Sequence, residues 1–177
     1  RGDCLEVMRL LPDACVDMVF CDLPYGTTRN AWDSPIDLGA LWSIYNRVVK
    51  KHGAIVLTAS SPFDKVLAAS NLDNFRYEWI WHKNKATGHL NAKRMPLKAH
   101  ENVLVFYRKP PVYNPQFTSG HKPMNKVNPR KKDQPAVLRN YGHADCVGNP
   151  GGKTERYPRT VLDIPVHNND DKSKFHP

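Results

Sequence analysis

Val16-Asp17-Met18-Val19-Phe20-Cys21-Asp22-Leu23-Pro24-Tyr25-Gly26 joins an apolar run to a loop. Five of its first six residues are apolar, and Val16 and Val19 are β-branched. That pattern predicts a strand buried on both faces. An acid, a proline, an aromatic and a glycine then end the strand. In open parallel sheets ligands bind beyond the carboxyl ends of the strands, so Asp22 and Tyr25 are placed where chemistry is done. Asp, Pro and Gly are also ordinary turn residues, so the stretch alone assigns no function.

The flanking sequence supplies the layers for such a strand. Upstream, Leu5, Met8 and Leu11 recur at helical spacing and predict a short helix over 4–11, ended by Pro12-Asp13. A strand before Arg1 would put Gly2-Asp3 on the same rim as Asp22. Downstream, Ser34-Pro35-Ile36-Asp37 predicts a helix start with Ser34 as cap. Leu38, Leu41, Trp42, Tyr45, Val48 and Val49 form its apolar stripe. Lys50, Lys51 and His52 suit its negative end, and Gly53 stops it. Residues 54–59 predict a second buried parallel strand. Ser61-Pro62-Phe63-Asp64 repeats the helix-start pattern, with Ser61 as cap. Residues 75–83 and 102–109 predict two further strands. This alternation predicts an α/β domain with a mostly parallel sheet and right-handed crossovers.

The chain has 177 residues, which suggests one domain with one insertion. Its apolar runs are far shorter than the ~20 residues of a membrane span, and no secretory pattern opens it. Cys4, Cys15, Cys21 and Cys146 form no C-x-x-C pair, so neither a disulfide framework nor a metal site is expected, and a reducing cytoplasm fits. The formal net charge is +9, unevenly spread: residues 1–81 carry −2, residues 82–160 carry +12 and residues 161–177 carry −1. A concentrated basic excess favours a polyanion as partner. Residues 110–160 hold eight prolines and five glycines with almost no apolar periodicity, which predicts a long irregular insertion. The expected division is therefore a core over 1–109, an insertion over 110–160 and a linker over 161–177.

Taken in order, several motifs resemble the amino-methyltransferases of DNA, in the class whose D-P-P-Y tetrapeptide precedes the cofactor motif. They are Gly2-Asp3-Cys4-Leu5, Leu11-Pro12-Asp13, Asp17, Asp22-Leu23-Pro24-Tyr25-Gly26 and Trp32-Asp33. Trp81-His82-Lys83, Gly88, Arg94, Pro96, His100-Glu101, Phe106, Tyr113-Asn114-Pro115 and Phe175-His176-Pro177 continue the series. The resemblance covers most of the chain. It implies a Rossmann-like S-adenosylmethionine-dependent methyltransferase sheet with helices on both faces, and a basic target-recognition insertion. The implied setting is prokaryotic or phage-encoded, with double-stranded DNA as partner, a possible homodimer and no membrane. Two departures stand out. Leu23 replaces the first proline of the tetrapeptide, and the F-x-G-x-G loop that grips the cofactor is not found among these residues, so the expectation is a longer protein.

The chemistry can be argued from the residues. The exocyclic amine of a base is a poor nucleophile, because its lone pair is conjugated into the ring. Acceptors for both N–H groups let the nitrogen become tetrahedral as a methyl group arrives. Asp22 can accept one, as a charged and therefore stronger acceptor. The Leu23 carbonyl can accept the other, held extended because Leu23 precedes Pro24. Tyr25 can stack on a base swung out of the duplex, a role that needs its ring and not its hydroxyl. Orientation and preorganised charge then supply the catalysis, with no cysteine nucleophile.

By resemblance Asp3, Cys4, Asp22, Phe175 and His176 contact the cofactor. Asp3 also fits a helix cap. Trp32 and Asp33 close the base pocket or end the loop. Lys83, Lys85, His89, Lys93, Arg94 and Lys98 read as a phosphate-facing loop, and Arg130, Lys131 and Lys132 as a second basic cluster. Asn125, Asn128, Gln134 and Arg139 are available for base reading. The expected activity is methyl transfer to the N6 amine of adenine. The alternatives are the N4 amine of cytosine, where relatives more often carry Ser in place of Asp22, and a non-catalytic nucleic-acid-binding domain. A protein-glutamine methyltransferase, whose tetrapeptide starts with Asn, is disfavoured by Asp22 and the basic insertion.

Overall fold

The structure, a computed structural model, describes residues 2–128 and 148–166. Its elements in chain order are α1 (Cys4–Arg9), β1 (Val16–Asp22), α2 (Leu38–Val48), β2 (Val49–Ala59), α3 (Phe63–Ala69), β3 (Phe75–Thr87), β4 (Lys98–Phe106) and β5 (Val161–Asp163). The five strands form one sheet in the order β1-β2-β4-β3-β5. β1 and β2 are parallel, β4 is antiparallel to both β2 and β3, and β5 is parallel to β3. Four strands therefore run one way, and β4 returns between β2 and β3. The mostly parallel expectation holds for strand direction, but two of the four pairings are antiparallel.

β1 forms where its pattern places it, but it is not buried on both faces. Val19 and Cys21 pack against the core, while Met18 and Phe20 are 54% and 66% exposed on the alternate face. β1 stands at the edge of the sheet, and a strand's side chains alternate between its faces. α1, α2 and α3 all feed the core on the Val19 side. Leu41, Trp42, Ile44, Tyr45 and Val48 of α2 meet Ile55 and Leu57 of β2, Leu67 of α3, and Leu104 and Phe106 of β4. Burying each such side chain stabilises the fold by about 1.5–3 kcal/mol. Among the described residues the opposite face has no helix, and Phe20, Val56, Val105 and Tyr77 lie in register across it.

Both helix starts differ from expectation. α2 begins at Leu38, capped by Asp37, whose carboxylate accepts from the Ala40 N–H at 3.1 Å. Pro35 instead packs on Gly26, where a Cβ would lie 2.6 Å from its ring. α3 has Pro62 at its cap position, so Ser61 does not cap it. α2 also ends early. Lys50, Lys51 and His52 belong to β2, in a bulge where Lys50 pairs with Asp17 at 2.8 Å. Gly53 serves that bulge: a Cβ there would sit 2.8 Å from the Asp17 carbonyl oxygen. The end of α1 is fixed by Arg47, which donates to the carbonyls of Met8, Arg9 and Leu11 and pairs with Asp13. Those carbonyls would otherwise lack partners at the helix end.

Residues 161–166, expected as a linker, are tied to β3 instead. Beyond the β5 pairing, Trp81 Nε1 donates to the Ile164 carbonyl at 2.8 Å, and the Val166 N–H donates to Asn84 at 2.8 Å. Two compact units result: Asn114–Pro158, and the rest of the chain. In the former, Thr118 bridges Arg156, Val127 bridges Asn149, and the Phe117 and Tyr157 rings pack at 4.6 Å. Among the described residues no helix is long and apolar enough to cross a membrane.

Candidate active site

The carboxyl ends of β1 and β2 lie side by side, with Asp22 in register with Thr58. The Tyr25 hydroxyl donates to Asp22 Oδ1 at 2.6 Å, and the Thr58 hydroxyl donates to the same oxygen. The two hydroxyl oxygens are 3.1 Å apart. Among the described residues no hydrogen bond reaches Asp22 Oδ2. Asp22 as a residue is exposed. Tyr25 is half-buried, and one side of its ring stacks on Phe63, with centroids 5.5 Å apart and planes 23° from parallel. Burial first, and then the bond to Asp22, push the Tyr25 hydroxyl well above its ordinary range, against a lowering by Thr58, with the charges of Asp22 and Glu101 adding to the rise. It is therefore a proton donor throughout the neutral range. The sequence supplied the ring; the hydroxyl's engagement with Asp22 is new.

Leu23 is 6% exposed and belongs to the core cluster. The residue that departs from D-P-P-Y thus has a packing role for its side chain. Pro24 is half-buried beside it.

Asp33 holds the loop after the tetrapeptide. Its carboxylate accepts from the backbone N–H groups of Gly26 at 2.8 Å, Thr27 at 2.9 Å and Thr28 at 2.6 Å. Burial pushes its carboxyl upward. The bonds from Thr28, Gly26 and Thr27 outweigh that and hold it below the ordinary carboxylate range. Of the two roles open to Asp33, the structure supplies the loop anchor. Trp32 is 70% exposed beside it.

Asp3 caps α1, accepting from the N–H groups of Leu5 at 2.8 Å and Glu6 at 3.2 Å. Both bonds fall on Oδ1, and among the described residues none reaches Oδ2. Cys4 is exposed at the first position of α1. Burial raises the Cys21 thiol against a lowering by Tyr45, and the charges of Asp22 and Cys4 raise it further.

The basic segment is not one loop. Lys83 and Lys85 lie within β3, His89 opens a single 3-10 turn (His89–Asn91), and Lys98 opens β4. Lys83 is paired with Glu101, its side chain 16% exposed, and sits 4.6 Å above the Trp81 ring. Lys85, His89, Lys93, Arg94 and Lys98 are exposed, and Lys98 donates to the Ser61 carbonyl at 3.2 Å. Arg130, Lys131, Lys132, Phe175 and His176 lie outside the described residues, as do Gln134 and Arg139. Thr58, Phe63 and Glu101 were not expected at the site. For Thr58, the available signal was its place near the end of the second strand.

No family profile and no curated relative matches the chain. Among solved structures it is similar to the PvuII DNA methyltransferase, described as cytosine-N4-specific, with a TM-score of 0.54. That match has 14% identity and covers 97% of this chain and 58% of the other. The chain has a methyltransferase fold. The complex of M1.HpyAVI with S-adenosylmethionine is also similar, at 17% identity and a TM-score of 0.43, over 76% of this chain and 61% of that one. The chain thus spans about three fifths of the length of either structure.

Proposed function

We propose that the chain carries the catalytic part of an S-adenosylmethionine-dependent DNA methyltransferase that acts on the N6 amine of adenine in a flipped-out base. The observation that carries this reading is the oriented carboxylate of Asp22 at the end of β1, with Oδ1 taken by two hydroxyls and, among the described residues, no hydrogen bond on Oδ2. Asp22 Oδ2 accepts one N–H of the amine, and the Leu23 carbonyl accepts the other. Two acceptors hold the nitrogen lone pair out of conjugation and take up the positive charge that develops on it. The proton released on methylation leaves along the bond to Asp22. The open side of the Tyr25 ring faces the base, with Phe63 backing the other side.

The residues present suit the cofactor. Asp3 retains an acceptor oxygen after capping α1, which fits the hydroxyl or amine donors of an adenosine. Asp3 and Cys4 would hold that part, with Phe175 and His176 beyond the described residues. When bound, S-adenosylmethionine supplies a methyl group activated on a sulfonium. Double-stranded DNA is the partner this reading requires, and the basic excess of residues 82–160 supports it.

The test is nucleoside mass spectrometry on DNA from cells expressing the complete gene. N6-methyldeoxyadenosine is the expected product. N4-methyldeoxycytidine alone would reassign the base, and no methylated base would remove the activity. Asp22→Ala is expected to lower turnover by about 100- to 1000-fold, by analogy with the loss of one oriented oxyanion donor.

A further inference from the structure

We propose that Thr58 is a positioning residue for Asp22, whose hydroxyl holds the carboxylate in the orientation that methyl transfer needs. The inference rests on the methyl-transfer reading above and adds to it a second element of the sheet. Asp22 is exposed at the end of an edge strand, so its carboxylate would turn freely if left alone. Thr58 is its register partner on β2, and a β-branched side chain has restricted χ1 freedom. Its hydroxyl therefore reaches Oδ1 from a fixed direction. The Tyr25 hydroxyl reaches the same oxygen at 2.6 Å, and its ring is held against Phe63. Charge-assisted bonds of this kind are stronger than neutral ones. With both donors on Oδ1, the carboxylate is held in one orientation. An exocyclic amine can donate to it. Thr58 touches neither base nor cofactor in this account; it acts through Asp22.

The experiment compares steady-state methylation by the complete gene product with Thr58→Val, Thr58→Ser and Asp22→Asn. Valine keeps the shape and strand preference of threonine and removes only the hydroxyl. Thr58→Val is expected to lower kcat by about 10- to 100-fold, the scale of one lost bond to a charged group, while the KM for DNA changes less than about 3-fold. Thr58→Ser is expected to restore most of kcat. If Thr58→Val fails to fold by thermal melting, Thr58→Ala replaces it with the same expectation. Wild-type kcat in the hydroxyl-free variant, or no recovery in Thr58→Ser, overturns the assignment. The two readings fail separately. Inactive Asp22→Asn with fully active Thr58→Val removes only the role of Thr58. Unchanged turnover in Asp22→Asn removes the methyl-transfer mechanism itself.

Discussion

At the scale of single residues the site is a set of fixed acceptors and donors. Tyr25 has two functions that one substitution separates. Tyr25→Phe keeps the ring on Phe63 and removes a donor to Asp22. It should cost about 1–2 kcal/mol in transition-state stabilisation, roughly ten-fold in rate, because the bond is charge-assisted but Asp22 is exposed. Tyr25→Ala should cost about 1–3 kcal/mol more, the scale of a lost base–aromatic stack. Measured kcat/KM values equal for Tyr25→Phe and wild type would leave the ring as the only contribution. Asp33 sets a pH dependence. Its carboxyl is held below its ordinary value of 3.8, so the stabilisation it gives the loop is fully present above that value. It is lost as pH falls through the lower, folded value. The amide signals of Gly26, Thr27 and Thr28 should therefore stay unchanged from pH 8 to 5 and shift together only in strong acid. In Asp33→Asn one acceptor oxygen is gone, and those amides should exchange faster even at neutral pH. Unaltered exchange in that variant would show that the loop holds itself.

Elements are joined by a small number of buried polar contacts, and these are sensitive points. Asp64 of α3 is 1% exposed, and Asn102 of β4 donates to it at 2.6 Å. Asn102→Ala leaves that buried carboxylate with only the Lys65 ammonium and its own helix start. The expected loss is about 1–3 kcal/mol, read as a lower urea midpoint with an unchanged m-value. A midpoint equal to wild type would mean that water replaces the amide without cost. Such contacts mark the limit of reading elements from sequence. β1, β2, α1 and α2 follow from apolar runs and spacing, β3 and β4 from their aromatic and β-branched content, and α3 from its helix-start pattern. Helix starts do not follow as well. Ser34-Pro35 and Ser61-Pro62 both look like caps, yet Pro35 is drawn onto Gly26 and Asp37 takes the cap. Lys50, Lys51 and His52 suit a helix end by charge, but pairing with β1 draws them into β2. Local signals of similar strength compete there, and tertiary contacts decide between them. The short β5 gives no periodic signal, since three residues are too few to carry one.

Over the whole molecule the sequence places Asp22, Leu23, Pro24 and Tyr25 at the rim, because the end of an apolar run is visible in one dimension. Thr58 is 36 residues away, and only strand register joins it to Asp22. Glu101 is farther still, and it forms an ion pair with Lys83. The basic excess of residues 82–160 therefore has two parts. Lys93, Arg94 and Lys98 are exposed charges that can meet phosphates, whereas Lys83 is half of an ion pair whose side chains are 16% and 23% exposed. The two parts should respond differently to mutation. Replacing Lys93, Arg94 and Lys98 together by alanine should weaken binding to all duplex sequences alike. It should also flatten the plot of log affinity against log salt by about 0.9 for each phosphate no longer neutralised, or roughly 2–3 in total. Lys83→Ala should leave that slope in place. It strands Glu101 in a partly desolvated position, at a cost of about 1–3 kcal/mol in stability, below the cost of breaking a fully buried pair. Fluorescence anisotropy across a salt series, beside thermal melts of the same proteins, separates the two. A Lys83→Ala protein that melts like wild type but loses salt dependence would place that lysine on the DNA.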